Sequence, residues 1–266
     1  MDISTVAEIK QIIENELPGW IEQEPGFQRR LLQALGEGTT PGPLRMTYEE
    51  FLAWADGDTL AEWVEGEVIM TSPASLQHQL IAGFLSAVMG IYAQGRQLGV
   101  VVTGPFQMKL RNGREPDLIF VATDHLGRFK ENRLEGAADL VVEIISPESV
   151  DRDRGRKFYE YEQGGILEYW LVDPLRRWVD IYVLEDDRYR PAFSSVTGRY
   201  DSRALTGFWL DVDWLWQRPL PTPLRALGEI VRADPDLVAA VEQPIGVRST
   251  RPRHPPDTFR RLRSRA

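Results

Sequence analysis

Apolar positions recur along the chain with two periods. Helical spacing appears first at Val6, Ile9, Ile12, Ile13 and Leu17, where Pro18-Gly19 stops it. A second helix is expected near Phe27 to Leu35, followed by a Gly- and Pro-rich linker to Pro43. Thr47-Tyr-Glu-Glu50 sets a hydroxyl three residues before an acid and ahead of Phe51, Leu52 and Trp54, the pattern of a capped helix start. Trp63 to Met70 reads as a strand with a turn or bulge at Gly66, and Leu76 to Gln97 as a long amphipathic helix. Strands are then expected over Val100 to Leu110, Leu118 to Ala122, Leu140 to Ile145, Leu167 to Val172 and Trp178 to Leu184, with Asn112-Gly113 turning the first into the second. A helix from about Val150 to Gln163 interrupts them.

Helix, strands, helix and further strands make an α/β domain on a mixed sheet, with antiparallel hairpins beside a crossover. Its expected span is residues 44–216, after an N-terminal helical extension over 1–43 and before a Pro- and Arg-rich extension over 217–266, poorly ordered from about Pro244.

Composition narrows the chemistry. There is no cysteine among the 266 residues, so disulfides, thiolate metal sites and a cysteine nucleophile are excluded together. No start resembling a signal peptide and no membrane span is expected, which makes the protein cytoplasmic by expectation. The formal net charge of -9 runs against simple phosphate binding, although Arg248, Arg251, Arg253, Arg260, Arg261, Arg263 and Arg265 face only Asp257 near the C-terminus.

Charges inside apolar strands carry the chemical signal. Glu143 lies within Leu140-Val-Val-Glu-Ile-Ile145, where an uncompensated carboxylate would cost several kcal/mol, so a cation is expected beside it. The candidates are a metal ion or an arginine such as Arg152 or Arg156. Asp117 opens the strand that follows Pro116, and two carboxylates from neighbouring strands can share a hard cation such as Mg²⁺. Asp153, Lys157 and Tyr161 recur every four residues and share a helix face, so Lys157 can be aimed at the acids or paired with Asp153 or Glu160.

In order and spacing, Glu62-Trp-Val-Glu-Gly-Glu67, Pro116-Asp117, Glu143-Ile-Ile-Ser-Pro147, Asp153-Arg-Gly-Arg-Lys157 with Tyr161, and Glu168-Tyr-Trp170 with Asp173-Pro174 resemble the Uma-type restriction endonuclease family, within the PD-(D/E)XK nuclease superfamily. The resemblance covers roughly Met46 to Leu184. It implies a restriction-endonuclease-like fold and Mg²⁺-dependent (or Mn²⁺-dependent) cleavage of DNA. Asp117 and Glu143 would be metal ligands, Glu62 a further acid, Lys157 the catalytic lysine, and His78 and Tyr161 auxiliary residues. The superfamily's lysine usually sits two residues after the second acid, where this chain has Ile145. The alternative is therefore a non-catalytic nucleic-acid-binding or protein-interaction domain on the same fold. A homodimer is expected from the class, since cutting both strands favours paired subunits.

Overall fold

The computed structural model describes residues 44–55, 59–70, 75–146, 149 and 152–242. The helices expected within 1–43 and the tail expected from Pro244 lie outside the described residues. The chain runs α1 (Tyr48–Trp54), β1 (Ala61–Val64), β2 (Glu67–Met70), α2 (Leu76–Gly95), β3 (Gly99–Thr103), β4 (Gln107–Lys109), β5 (Gly113–Arg114), β6 (Leu118–Ala122), β7 (Arg133–Glu135) and β8 (Leu140–Ile144). A π-helical turn (Arg152–Lys157) leads into α3 (Phe158–Gly164), then β9 (Glu168–Asp173), β10 (Trp178–Glu185), β11 (Arg188–Ser195), β12 (Arg199–Asp201), β13 (Trp209–Asp211), α4 (Pro223–Val231) and α5 (Pro235–Glu242).

Six strands form the main sheet in the order β11-β10-β9-β8-β6-β3. The β8–β9 pair is parallel and is joined through α3, whereas β6 pairs antiparallel with both β3 and β8. Along β6 and β8 the side chains alternate between two cores. Leu118, Phe120, Leu140 and Val142 pack with α2 and with Ala226, Leu227 and Ile230 of α4. Ile119, Val121 and Val141 face Tyr161, Tyr169 and Tyr189 on the other side. Period-two burial on both faces is what a central, fully covered sheet demands of its strands. A smaller sheet, β2-β1-β5-β4-β7, sits beside the main one.

Local chemistry sets several element ends. Thr47 and Glu50 form the reciprocal capping box, with Glu50 N donating to Thr47 Oγ1 at 3.2 Å and Thr47 N donating to Glu50 Oε2 at 2.8 Å. Trp63 to Met70 is a hairpin, not one strand: Glu65 and Gly66 both adopt positive φ (50° and 89°), which suits a two-residue turn between twisted strands. Gly165 at φ 80° closes α3.

Other expectations need correction. Val100 to Leu110 is two strands in two sheets, because Pro105 has no N–H to continue the ladder. Asn112-Gly113 consequently turns β4 into the two-residue β5, and β6 finds its hairpin partner in β3. Helix α2 is long and apolar enough to cross a bilayer, contrary to the expectation that no segment is. Its face bearing Ile81, Phe84, Leu85, Val88 and Met89 is, however, buried in the main core.

Candidate active site

Register and pleat bring the two strand acids together. Leu118 stands opposite Val142 in the antiparallel β6–β8 pair, and one step further the same register sets Asp117 opposite Glu143. Directly opposed residues project to the same face of a sheet, so both carboxylates point one way. The two are tied through the backbone as well, since Ile144 N donates to Asp117 Oδ2 at 2.6 Å. Both line a cavity of about 760 Å³ that also receives Glu62, His78, Asp153 and Lys157.

Lys157 is the centre of this arrangement. It is 3% exposed, so it is not the solvated helix-face lysine that the sequence also allows. Its Nζ lies 2.8 Å from Glu143 Oε1, 2.9 Å from Glu62 Oε1 and 3.5 Å from Asp153 Oδ1. The ammonium reaches Glu143 from the π-helical turn, while Ile145 packs into the apolar core. Tyr161, one turn further along, donates its hydroxyl to the same Glu143 oxygen at 2.7 Å. Glu143 thus pairs with a lysine and a tyrosine; neither Arg152 nor Arg156 takes that place.

Glu62 is the inward member of its acidic trio. It is 1% exposed, whereas Glu65 pairs with Arg111 and Glu67 with Arg45 toward solvent. A second cation holds it, because Arg114 donates to Glu62 Oε2 at 3.0 Å and turns its other edge to Glu160 at 2.7 Å and 2.9 Å. His78 stands in the first turn of α2, where Ser75 caps the helix, and its Nε2 lies 3.2 Å from Asp117 Oδ1. Sequence reasoning missed Arg114 and Glu115, and it noted Asp153 only as a neighbour of Lys157. Arg114 and Glu115 precede Pro116 in a stretch that reads as a polar turn.

Electrostatics follow from burial and charge balance. Burial pushes the Glu143 carboxyl up to about 8, with Asp153, Asp117 and Glu62 adding to the rise against the pull of Lys157. Burial also pushes Glu115, on the cavity wall, up to about 7. Glu62 resists its own burial, since Lys157 and Arg114 bring it down to about 2. Burial opposes the charge on Lys157, but Glu143, Glu62 and Asp153 outweigh it and hold the ammonium protonated. Burial likewise opposes the charge on His78, and the contact with Asp117 raises its affinity for a proton nonetheless.

Four carboxylates, Glu62, Asp117, Glu143 and Asp153, thus share the region with Lys157 and with Arg114, which also serves Glu160, an excess of acids over cations. A hard divalent cation held by Asp117 and Glu143 fits that excess and the all-oxygen donor chemistry. Among the described residues no Glu143 partner engages Oε2, which leaves that oxygen to a ligand on a cavity-lining residue. Among the described residues no ready group of three His, Asp or Glu side chains stands in ligand geometry, so two carboxylates are what the protein offers.

Comparison with known proteins agrees with this reading of the fold. An uncharacterized protein of Synechocystis sp. is 28% identical over 150 residues, 54% of this chain and 76% of that protein. A crystal structure described as a "putative nuclease belonging to DUF820" from Anabaena variabilis is similar at TM-score 0.56 and 18% identity, covering 64% of this chain and 97% of that one. At that identity the likeness establishes the fold: a restriction-endonuclease-like mixed sheet flanked by helices. Residues 48–213, which hold both strand acids, the lysine and the elements that bring them together, match the Uma2 family, described as "Putative restriction endonuclease", and the chain belongs to that family.

Proposed function

We propose that the protein is a Mg²⁺-dependent endonuclease that hydrolyses DNA phosphodiester bonds. The observation that carries this reading is the Lys157 ammonium, buried 2.8 Å from Glu143 in the cavity that also holds Asp117. Asp117 and Glu143 would hold Mg²⁺, with Mn²⁺ a suitable substitute. A bound divalent ion supplies polarisation of a phosphoryl oxygen and a more acidic water.

The remaining work falls to the protein's own groups. Lys157 stays charged and lies where it can orient a water and stabilise negative charge gathering on a phosphate oxygen. Glu62, fixed from behind by Arg114, keeps that ammonium in place. Tyr161 fixes the rotamer of Glu143, and His78 does the same for Asp117. Family membership and the nuclease description of the structural neighbour support the same class of reaction.

A plasmid-nicking assay with purified protein and Mg²⁺ or Mn²⁺, run beside Glu143→Ala and Lys157→Ala, tests the proposal. Metal-dependent nicking that vanishes in both variants is the expected result; cleavage equal in all three proteins would place the activity outside this site.

A second reading is a non-catalytic nucleic-acid-binding or protein-interaction domain. Asp117 favours it, because one oxygen faces His78 and the other accepts from Ile144 N, so both already have protein partners. DNA retention without nicking at any metal concentration would select that reading.

A further inference from the structure

Asp153 is a charged cavity residue that the proposed reaction does not use. It is 1% exposed, and its Oδ1 is buried without a hydrogen-bond partner. Its backbone is pinned on both sides: N donates to Ser149 O at 2.8 Å and O accepts from the Tyr169 hydroxyl at 3.1 Å. The backbone that carries the carboxylate is therefore held in place. A buried, unsatisfied carboxylate oxygen is unfavourable, and its persistence calls for a state in which it gains a partner.

The nearest donor that could supply one is Lys157. An ammonium has three N–H bonds, and Glu143 and Glu62 accept two of them at hydrogen-bond distance. The third acceptor, Asp153 Oδ1, stands at 3.5 Å, beyond the usual range. Arg152 Nε is the other cation nearby, 4.0 Å from both Asp153 Oδ1 and Glu62 Oε2, and it too is buried without a partner. Lys157 and Asp153 are one helical turn apart on the same face, so less than an ångström of ammonium movement would complete the bond.

We propose that Asp153 is a positioning residue that takes over the Lys157 ammonium when Glu143 turns to a divalent cation. Lys157 lies between Glu62 and Glu143, at 2.9 Å and 2.8 Å. An ion on Glu143 Oε2 would draw charge away from Oε1 and weaken its hold on Lys157, and the ammonium then settles between Glu62 and Asp153. The inference rests on the metal-binding reading of Asp117 and Glu143 given above.

Calorimetric titration with Mn²⁺ tests both levels separately. Wild type is expected to bind and Glu143→Gln to lose binding; if neither protein binds, or both bind alike, the metal site falls and the relay with it. With that established, Asp153→Asn should weaken Mn²⁺ binding roughly tenfold, the lower end for a residue that supports a ligand without touching the ion. The same change made in Lys157→Met should have no effect, because the ammonium it receives is gone. Equal weakening in both backgrounds would make Asp153 a simple source of negative field, and unchanged affinity in the single variant would remove its role; either overturns the proposal while leaving the metal site standing. As a readout independent of variant folding, the side-chain ¹⁵Nζ resonance of Lys157 should move on Mg²⁺ addition to wild type. A resonance that stays fixed while Mg²⁺ binds overturns the relay.

Discussion

Glu143 and Glu168 are both buried glutamates on adjacent parallel strands, and burial raises the proton affinity of each. Their surroundings differ completely. Among the described residues Glu168 accepts from neutral donors: Trp170 Nε1 at 2.6 Å, Ser202 Oγ at 3.1 Å, and the backbone N–H groups of Arg203 and Ala204 at 2.8 Å each. It staples the loop after β12 to the main sheet. Glu143 instead meets an ammonium, a phenol and three other carboxylates, on the wall of a cavity. A buried acid in a strand is therefore not in itself a sign of chemistry. What distinguishes a site is an acid left short of positive charge and facing open space.

The largest effect expected from that contrast is at Glu143. Glu143→Gln should lower metal-dependent cleavage by on the order of a thousandfold, about 4 kcal/mol of transition-state stabilisation. Its melting temperature should stay within a few degrees of wild type, since a neutral isostere relieves the crowding of acids while keeping two hydrogen bonds. Cleavage rates and a thermal melt on the same preparation check both halves. A collapse in stability with activity retained would make Glu143 a structural residue like Glu168.

Glu168→Ala reverses the pattern. Four donors, two of them buried, lose their acceptor at once, so urea unfolding should show a loss of roughly 3 kcal/mol. Cleavage per folded molecule should be unchanged, since Glu168 takes no part in the cavity wall. Loss of activity in a fully folded Glu168→Ala protein would join the two glutamates in one network and dissolve the comparison.

Tyr161→Phe sharpens it on a smaller scale. Removing the phenol leaves Glu143 Oε1 with the ammonium alone. Cleavage should fall about tenfold, the size of one hydrogen bond to a charged group, with stability changed by about 1 kcal/mol or less. An unaltered rate would show that Lys157 alone fixes Glu143.

The same contrast explains what could be read from the sequence. Glu143 in a run of apolar residues and Asp117 after Pro116 stand out in one dimension, because a charge breaks the pattern of a covered strand. Lys157 and Tyr161 are legible by their four-residue spacing, which the turn into α3 preserves. Arg114 and Glu160 were beyond reach, because their partnership spans 46 residues and Arg114 lies in a strand of two residues, too short to show a period. The split of Val100 to Leu110 between two sheets was hidden for a related reason: both halves are apolar enough to join a sheet, and only tertiary pairing says which. Strands β11 and β12 escaped notice because their polar, largely exposed residues alternate weakly, and β13 because three residues show no period. Glu168 stands beside Tyr169 and Trp170, which are fully buried, but its acceptor role depends on a loop more than thirty residues away, which no local pattern shows.

Glu62 and Glu65 give the mildest version of the contrast and the smallest expected effect. They are three residues apart in one hairpin, and both meet an arginine. Glu62 is sealed against Arg114 and Lys157, whereas Glu65 sits in the turn with two thirds of its side chain exposed and Arg111 more exposed still. Water and salt screen the outer pair, and holding two long side chains together offsets most of the remaining attraction. Glu65→Ala should therefore shift stability by no more than about 0.5 kcal/mol and leave cleavage untouched. Glu62→Ala, measured beside it, should uncover a buried arginine and loosen Lys157, lowering both stability and rate. Equal, small effects at the two positions would mean that the inner pair is as solvated as the outer one, and that the cavity is more open than its packing indicates.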